Sequence, residues 1–376
     1  MKKVLLVATV QSHICQFHKP LINFLKENGC EVHVAARDNL AEKNGLTLTE
    51  PDKVINIPFC RSPYSPKNIK AYKTLKKLIK SEGYDIVHCN TPVGGILTRM
   101  ACKKIRKNKP YVIYEAHGFH FFKGGPTKNW LLWYPIEKHF SRYTDLLITI
   151  NQMDYELAKK KFKAKRTEKV PGVGVNLAQF NCKEGGLSKK DLGLQDDDRI
   201  ILSVGELNKN KNHQVVIKAL AELKNPKVHY FICGNGKEKD NLVNLSRKLG
   251  VENQLHLMGY RRDVPDFYKL ADVFAFPSLR EGLAISPVEA MNFGVPIVTS
   301  DRRGINDFSE NGVTGFMYDP YDYKGMADGI NRILSDNNLK EKIGENNKEI
   351  CKKYSLEEAV KAISEIYRSV FNEIGE

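Results

Sequence analysis

Hydrophobic and polar positions alternate along this chain in blocks of two kinds. Short uninterrupted apolar runs predict buried strands, and longer segments with an apolar side chain at every third or fourth position predict helices. In the first half, strands are predicted at 4–10, 31–36, 53–57, 85–88, 111–116 and 145–150, and helices at 17–28, 67–80, 94–105, 129–140 and 153–162. Strands that alternate with helices in this way form a parallel sheet with helices on both faces.

The alternation stops at 170–194, a segment that contains Pro171 and five glycines, which predicts an interdomain hinge. It then resumes with strands at 200–204, 228–233, 254–258, 273–276 and 296–299, and helices at 212–223, 237–249, 264–270, 323–335, 338–352 and 356–373. A chain of 376 residues is longer than one core usually accommodates.

We therefore predict an α/β protein with two doubly wound, Rossmann-like domains, 1–175 and 195–355, joined by a hinge at 171–194. The last helix, 356–376, is expected to complete the first domain. Doubly wound domains bind ligands at the carboxyl ends of their strands, so the active site is expected in a cleft between the two.

The net charge of +15 is distributed unevenly. Residues 1–175 contain 31 lysines and arginines against 14 acidic residues, whereas the remainder contains 28 basic and 30 acidic residues. This asymmetry predicts that the first half meets an anionic partner, which is a membrane, a nucleic acid or an anionic substrate.

The eight cysteines show no C-x-x-C spacing, which favours reduced thiols in a cytosol over disulfides or a zinc ribbon.

The apolar start, MKKVLLVATV, is predicted to be a buried strand rather than a signal peptide. No apolar run is long enough to span a bilayer, which predicts a soluble protein. No H-x-H or H-E-x-x-H pattern occurs, so no metal site is predicted.

The stretch 277–291, PSLREGLAISPVEAM, contains two carboxylates, Glu281 and Glu289, with seven residues between them. Ser286 and Pro287 predict the N-cap and first residue of a helix that ends near Phe293. Its free N–H groups could bind a diphosphate, and Glu289 could accept hydrogen bonds from a ribose. The stretch therefore indicates a nucleotide-diphosphate site, and the alternative is an exposed helix start with two solvated glutamates.

Loops after three other predicted strands of the second half add candidates for the donor site. Gly205 allows a tight turn, and Lys209 and Lys211 supply positive charge beside a diphosphate, unless this loop is merely solvated. Gly234 begins a second turn, G-N-G, which is a weak signal by itself. Arg261 could contact a base or could be surface charge.

Histidines follow the predicted strand ends of the first half. His117 and His120 come directly after the strand 111–116, and the first loop contributes His13, Phe17 and His18. Two histidines within four residues at such a loop are well placed to contact a substrate, although a single buried histidine is often only structural. We take His13, Phe17, His18 and His120 as the candidate acceptor-binding residues.

The motif E-G-x5-V-E-A-M, followed by G-V-P-I-V and by R-G-I at 303–305, resembles the signature of the retaining glycosyltransferases of family 4, which have the GT-B fold. The segments ATVQSHICQFHKP, EAHGFHFFKGGPTKNWLLWYPIEK and VPGVGVN resemble bacterial exopolysaccharide and capsule transferases. The resemblance covers nearly the whole chain and implies two Rossmann-like domains that face each other across a cleft.

The resemblance also implies roles for single residues. Glu289 would bind the donor ribose, Glu281 the hydroxyls of the transferred sugar, and Lys211 the leaving diphosphate in place of a metal ion, so that no cofactor is required. His117 matches the histidine beside the reacting sugar. Backbone groups that would hold the sugar and diphosphate belong to Gly282, Leu283, Ala284 and Ile285.

Three departures from the family pattern stand out. Glu206 occupies the position of a common arginine, so that Lys209 could replace that cation. The segment QSHICQFH replaces a glycine-rich turn, which suggests an altered acceptor side. Ala284 stands where glycine is frequent.

The predicted function is that of a cytoplasmic retaining glycosyltransferase, peripheral on the inner face of the cell membrane. It would move a hexose or N-acetylhexosamine from a UDP-sugar to a polyprenyl-diphosphate-linked saccharide in the synthesis of a cell-surface polysaccharide. One alternative is a GT-B sugar-nucleotide epimerase. Another is a basic nucleic-acid-binding protein, which leaves the glutamate pair and the glycine turns unexplained; we therefore expect no nucleic-acid partner.

Two features of the first half bear on the membrane. Lysines line the helix 67–80, and a second basic group consists of Lys103, Lys104, Arg106, Lys107 and Lys109. The segment 119–134 is rich in aromatic residues and contains both tryptophans of the chain. Its rings are either packed on the sheet or placed at a lipid interface beside lysines that bind anionic head groups.

Overall fold

The computed structural model describes residues 1–43, 45–103, 105, 110–122, 124–180 and 186–375. The chain divides into two compact units, which we call the N-terminal unit (Met1–Val173 with Ala359–Glu376) and the C-terminal unit (Gly174–Glu358). The division lies inside the predicted hinge 171–194, of which residues 181–185 fall outside the described residues. Val175 forms a bridge with Ser355, and Leu194 is buried in the core of the C-terminal unit.

The N-terminal unit contains a parallel sheet with the strand order β3-β2-β1-β4-β5-β6-β7. Its strands are β1 (Lys3–Val10), β2 (Glu31–Arg37), β3 (Lys53–Asn56), β4 (Ile86–Asn90), β5 (Tyr111–Ala116), β6 (Leu146–Thr149) and β7 (Arg166–Lys169). Its helices are α1 (Gln11–Phe17), α2 (Lys19–Glu27), α3 (Lys67–Glu82), α4 (Pro92–Lys103), α5 (Thr127–Ser141), α6 (Gln152–Lys161) and α13 (Leu356–Gly375).

The C-terminal unit contains a second parallel sheet with the order β10-β9-β8-β11-β12-β13. Its strands are β8 (Arg199–Val204), β9 (Val228–Cys233), β10 (Leu255–Gly259), β11 (Val273–Phe276), β12 (Ile297–Ser300) and β13 (Gly315–Tyr318). Its helices are α7 (Gln214–Leu223), α8 (Lys239–Lys248), α9 (Val264–Leu270), α10 (Ile285–Asn292), α11 (Tyr323–Ser335) and α12 (Asn337–Ile350). Short 3-10 helices occupy Leu40–Glu42, Leu177–Phe180, Lys190–Leu192, Glu252–Gln254 and Cys351–Tyr354.

The central strands of both sheets are buried on two faces, as their largely apolar sequences predict. In β8, Ile200 and Leu202 belong to one hydrophobic cluster and Ile201 to another, because successive side chains of a strand point to opposite faces. In β1, Leu5 and Leu6 are adjacent and both fully buried. The predicted α/β class with two Rossmann-like units is confirmed.

The last helix, α13, packs on the N-terminal unit although it follows the C-terminal unit in the chain. Tyr367 lies 2.7 Å from Nδ1 of His88, and Glu373 accepts hydrogen bonds from Tyr111 and Arg166. These contacts link α13 to three strands of the first sheet, β4, β5 and β7.

Three elements differ from the predictions. The predicted helix 17–28 is wrong at its start, because the expected first loop is itself a helix, α1, and His18 separates it from α2. Strands β7 and β13 were not predicted. The sequence of β7, RTEK, has no apolar side chain, and this strand is defined only by its pairing with β6 at the sheet edge.

The aromatic segment 119–134 is mainly part of the core of the N-terminal unit. Phe119, Phe121 and Phe122 are buried, while Trp130 and Trp133 pack against the core cluster. Among the described residues of this segment, Leu131 is the large apolar side chain that is exposed, at 76%. The structure therefore favours packing on the sheet for most of these rings.

The lysines of α3 lie on the exposed face of that helix. Lys67, Lys70, Lys73, Lys77 and Lys80 are all exposed, and Lys76 is partly exposed. Ile69, on the same helix, is also 59% exposed. Of the second predicted basic group, Lys103 is exposed, and Lys104, Arg106, Lys107 and Lys109 lie outside the described residues.

Within the described part of the chain, no helix has both the length and the apolarity that crossing a bilayer requires. The seven described cysteines are all free thiols, at positions 15, 30, 60, 89, 102, 233 and 351.

Candidate active site

The stretch around Glu281 lies at the carboxyl ends of β8 and β11, the two central strands of the C-terminal sheet. Helix α10 begins at Ile285 with Ala284 as its N-cap, so the prediction that Ser286 caps this helix is wrong. Ser286 lies in the first turn of α10, where its hydroxyl donates to the carbonyl of Val204, the last residue of β8, at 3.0 Å. Ser286 therefore fixes the first turn of α10 to the end of β8 instead of capping the helix.

Lys211 and Glu281 form an ion pair. The Nζ atom of Lys211 lies 2.9 Å from Oε1 of Glu281 and 4.6 Å from the ring centre of Phe276. Asn210 donates to the carbonyl of Arg280 at 3.0 Å, which fixes the two loops to each other. The two charged groups that the sequence assigned to the donor therefore lie together in the structure.

Glu289 is held by a residue that the sequence analysis did not single out. The hydroxyl of Tyr268 donates to Oε2 of Glu289 at 2.7 Å, and it also lies within hydrogen-bond distance of the Ser286 carbonyl. Burial raises the pKa of Glu289, although the hydrogen bond from Tyr268 acts against this shift. Tyr268 thus orients the carboxylate, and burial partly desolvates it.

The loop 281–284 is supported from beneath by the R-G-I motif. Nε of Arg303 lies 3.3 Å from the carbonyl of Glu281. Gly304 has a positive φ of 76°, and a Cβ atom there would lie 2.2 Å from the carbonyl of Gly282. Only glycine fits this contact. Leu283 packs against the core, Ala284 is buried, and Ile285 is 36% exposed.

The glycine turns bring the strand ends close to one another. A Cβ atom on Gly234 would lie 1.9 Å from the carbonyl of Gly205, and a Cβ atom on Gly205 would lie 3.2 Å from Cε of Lys211. Asn212, with a φ of 54°, donates to the carbonyls of Pro277 and Pro320 and thereby anchors the loop that contains Lys211. The importance of Asn212 was not apparent from the sequence.

Lys209 and Arg261 have surroundings different from those of Lys211. Lys209 is exposed and lines a separate cavity of about 220 Å³ with Asn208, Glu238 and other residues. Arg261 is paired with Asp263, to which its Nε donates at 2.8 Å. Their roles in donor binding stay predictions, as do those of the residues described above.

The predicted acceptor residues of the N-terminal unit converge on one region. The ring centre of His117 lies 4.6 Å from that of His13, 5.5 Å from that of His18 and 5.6 Å from that of Phe17. His120 lies 4.8 Å from the ring of Trp133. His13 and His120 both line a cavity of about 300 Å³.

This cavity lies at the carboxyl ends of the neighbouring strands β1 and β4. The strand order reverses direction between these two strands, and ligands of doubly wound sheets usually bind at such a reversal point. It has a polar side that the sequence analysis did not identify. The hydroxyls of Thr9 and Thr91 lie 2.7 Å apart, and Ser12 and Arg61 also line the cavity. The arrangement can accept hydroxyl groups and one anionic group.

A buried carboxylate, Glu115, lies beneath these histidines. Its Oε1 lies 3.2 Å from Nε2 of His117, and its Oε2 lies 3.2 Å from Nε2 of His88. Burial acts to raise the pKa of Glu115, but the facing His117 and His88 hold it well below its ordinary value. Burial lowers the pKa of His18 to about 3 and that of His13 well below its usual range, so both rings are neutral near pH 7.

Comparisons with known proteins agree with this geometry. Family-wide sequence profiles described as "Glycosyl transferases group 1" and "Glycosyl transferase 4-like" match residues 187–350 and 3–151. The protein named glycosyltransferase EpsD, from Bacillus subtilis, is 39% identical over 374 residues, which are 97% of this chain and 96% of EpsD.

A second relative is the UDP-Gal:alpha-D-GlcNAc-diphosphoundecaprenol alpha-1,3-galactosyltransferase of Escherichia coli, 29% identical over 74% of this chain and 73% of that protein. Among solved structures, HepE of Anabaena in complex with UDP superimposes with a TM-score of 0.78 at 21% identity, covering 98% of this chain and 100% of HepE. This likeness establishes the fold. The chain therefore belongs to the group 1, family-4-like glycosyltransferases, and it has the GT-B fold.

Proposed function

We propose that this glycosyltransferase moves a hexose or N-acetylhexosamine from a UDP-sugar to a polyprenyl-diphosphate-linked saccharide, with retention of anomeric configuration, in cell-surface polysaccharide synthesis. The Lys211–Glu281 pair at the strand ends of the C-terminal unit is the main observation that supports this proposal. It provides one cation for a leaving diphosphate and one carboxylate for sugar hydroxyls, next to the start of α10.

The donor would bind with its ribose on Glu289 and its diphosphate on Lys211 and the N–H groups of residues 282–285. Because Lys211 pairs with Glu281, donor binding would replace one anionic partner of the ammonium by another. Because no side chain of this site is an obvious covalent nucleophile, we propose attack on the face from which the diphosphate departs. That diphosphate would take the acceptor proton.

The acceptor saccharide would occupy the cavity of the N-terminal unit, where threonine and serine hydroxyls, His13 and His120 meet a partly apolar surface. The Escherichia coli relative is named for a UDP-sugar donor and a diphosphoundecaprenol-linked acceptor, and HepE has been solved with UDP. These names support the choice of both substrates. His117 would lie next to the reacting sugar.

The test is a screen of nucleotide sugars for nucleoside diphosphate release, with and without a polyprenyl-diphosphate-linked saccharide. We expect UDP release that requires both substrates and a product with the anomeric configuration of the donor, read from its NMR coupling constant. Conversion of the nucleotide sugar without an acceptor would support an epimerase instead. Absence of turnover together with tight binding of duplex DNA at physiological salt would support a nucleic-acid-binding protein.

Replacing Glu289 by glutamine is expected to raise the donor KM about 10- to 100-fold, because a neutral amide loses charge-assisted hydrogen bonds worth about 1.5–3 kcal/mol. The kcat value should change much less, since the ribose is remote from the reacting bond. Steady-state kinetics with a saturating acceptor measure both. An unchanged KM would remove Glu289 from the ribose site.

Glu289 also predicts a pH dependence. Burial raises the pKa of Glu289, so its carboxyl group becomes protonated at a higher pH than that of an exposed glutamic acid. The protonated form accepts hydrogen bonds poorly. The donor KM should therefore rise as the pH falls through this raised pKa, and the dependence should disappear in the Glu289→Gln variant. Tyr268→Phe, which removes the hydroxyl but leaves the carboxylate, is the matched control and should raise KM less.

Activity is expected to persist in EDTA, because Lys211 supplies the positive charge that a metal ion supplies in other transferases. Rates in EDTA and in added Mg²⁺ or Mn²⁺ should agree within about twofold. A strict requirement for a divalent ion would contradict the proposed role of Lys211.

We also propose that the lysine face of α3 binds anionic lipid at the cytoplasmic face of the membrane, where the acceptor resides. Each basic side chain near such a surface contributes about 1 kcal/mol, so several bind reversibly and in a salt-dependent manner. Changing Lys70, Lys73, Lys77 and Lys80 to glutamate should abolish sedimentation with anionic liposomes. The matched control reverses four exposed lysines of the C-terminal unit: Lys218, Lys239, Lys248 and Lys269. Equal loss of liposome binding in both variants would mean that binding depends on net charge alone and not on the lysine face of α3.

A further inference from the structure

Three histidines of the N-terminal unit, His13, His18 and His117, form what we call the histidine cluster. One ring nitrogen of each lies within 4.8 Å of a ring nitrogen of the other two. Among the described residues, this is the one group of three or more histidine, cysteine or acidic side chains whose ligand atoms are so close. The three come from separate positions, within α1, between α1 and α2, and after β5.

The cluster contains polar atoms that the protein itself leaves unsatisfied. The Nε2 atoms of His13 and His18 are buried and have no hydrogen-bond partner among the described residues, and the whole side chain of His18 is only 3% exposed. Leaving a buried polar atom without a hydrogen bond is unfavourable, so a site that retains two of them favours a ligand that engages both.

Glu115 contacts one histidine of the cluster and could orient its ring. Its carboxylate is 95% buried and lies 3.2 Å from Nε2 of His117. A histidine that binds a metal ion commonly donates its other ring N–H to such a carboxylate, which orients the ring and increases its basicity. Within the described chain no lysine or arginine forms an ion pair with Glu115, so its negative charge is available to balance a cation bound by the cluster.

From this geometry we infer that the histidine cluster binds one divalent transition-metal ion, Zn²⁺ above others, and that the bound ion inhibits sugar transfer. Three imidazoles suit Zn²⁺, Co²⁺, Ni²⁺ and Cu²⁺, whereas Mg²⁺ and Ca²⁺ select oxygen ligands. At a zinc–nitrogen distance of about 2.0–2.1 Å, tetrahedral ligand atoms lie about 3.4 Å apart. To bind the ion, any two of the ring nitrogens would have to move closer to each other by about 1.4 Å at most. Rotation of the side chains can supply this movement.

The inhibition follows from where the cluster lies, and it rests on the proposed function. His13 also lines the cavity proposed for the acceptor, and His117 is the residue proposed to lie beside the reacting sugar. An ion held by both would fix these two rings and place a positive charge beside the cavity. In the proposed reaction Lys211 takes the place of a metal ion, so an ion bound at the cluster would act only as an inhibitor.

The first experiment measures binding and is independent of enzyme activity. Protein without a polyhistidine tag, stripped of metal, is titrated with Co²⁺ and monitored by visible absorption, and Zn²⁺ is then used to displace the Co²⁺. We expect one ion per chain and no competition from millimolar Mg²⁺. His13→Ala, His18→Gln and His117→Ala should each weaken binding at least about 100-fold, and Glu115→Gln about 10- to 100-fold.

The matched control is His256→Ala in the C-terminal unit. There His256 Nε2 lies 3.1 Å from Nδ1 of His229, and Nε2 of His229 lies 3.7 Å from Asp198. These two histidines are the alternative site at which a transition-metal ion could bind. Binding should be unchanged in this variant. Thermal unfolding of every variant identifies any that fail to fold, and the partly exposed His13 gives the variant least affected by loss of core packing.

The inference is overturned if no ion binds at a ratio of one per chain, if the cluster variants bind as tightly as the parent, or if His256→Ala abolishes binding. Failure of the proposed function appears differently, as Zn²⁺ binding that is intact in a protein without transferase activity. Binding at the cluster with full turnover would overturn the inhibitory role.

Discussion

Replacing Lys211 by alanine is expected to lower kcat/KM about 100- to 1000-fold, with both kcat and KM affected. The ammonium group meets a diphosphate that is already charged in the bound donor and gains charge as the glycosidic bond breaks. Loss of one preorganised group that stabilises such charge costs about 10²–10³ in rate. The variant also leaves Glu281 without its cation, so that an unpaired carboxylate faces the arriving diphosphate.

The measurement is steady-state kinetics with donor binding determined separately by calorimetry. Lys218→Ala, which removes an exposed lysine of α7, is the matched control and should be within about twofold of the parent. Lys211→Arg keeps the charge but changes its shape and reach, so partial recovery is expected. If Lys211→Ala retained the parent kcat/KM, the diphosphate would have to lie elsewhere, and the exposed Lys209 would be the next candidate.

The fold could be predicted well wherever burial on both faces determines a strand. The largely apolar runs 111–116 and 228–233 match β5 and β9 because a strand inside a parallel sheet is covered on both faces. Strand β7 could not be predicted in this way, because an edge strand is specified by its neighbour's hydrogen bonds and its four residues are mostly charged.

Helix α1 could not be predicted for a different reason. Its seven residues include Ser12, His13 and Cys15, whose helix propensities are low, and so short a segment shows no helical spacing of apolar residues. Ser12 is buried against Asn39, which accepts from its backbone N–H and donates to its hydroxyl. Tertiary contacts of this kind stabilise a short helix, and they are invisible in a single sequence.

The residues of the candidate donor site could be predicted from the sequence, but the side chains that contact them could not. The spacing of Glu281 and Glu289 and the lysine-rich loop are local patterns. The pairing of Lys211 with Glu281 and of Tyr268 with Glu289 joins separate strand–helix units, and nothing in the local sequence indicates it. Asn212 is likewise recognisable only from the carbonyls that it bonds.

The histidines show the same distinction more clearly. Their position after strands that end at one sheet edge predicted that they would share a region, since parallel strands place all their carboxyl ends together. The sequence spacing gave no metal-binding pattern, because His117 is 99 residues from His18 and approaches it only through the order of the strands. Glu115 was not considered, although it is two residues from His117 on the buried face of β5.

Replacing Glu281 by alanine is expected to lower kcat about 100-fold while leaving the donor KM unchanged or lower. Without its carboxylate the transferred sugar is held less firmly, and a displacement of about 1 Å from the reactive position costs on the order of 10² in rate. The same change releases Lys211 from its ion pair, in which the two side chains are only 20% and 16% exposed and therefore little screened. In this variant the ammonium of Lys211 can bind the diphosphate without first breaking an ion pair, which keeps the donor KM from rising.

A fall in kcat without a rise in the donor KM distinguishes a role in catalysis from simple loss of structure. Glu281→Gln keeps an acceptor for the sugar hydroxyls and should lose less in kcat, while Glu222→Ala, at an exposed position of α7, should match the parent. The double variant Lys211→Ala/Glu281→Ala completes a thermodynamic cycle, and its loss in kcat/KM should be smaller than the product of the two single losses, because each change removes the partner of the other. Full turnover by Glu281→Ala, with the parent KM, would contradict the assignment of residues 277–291 to the active site.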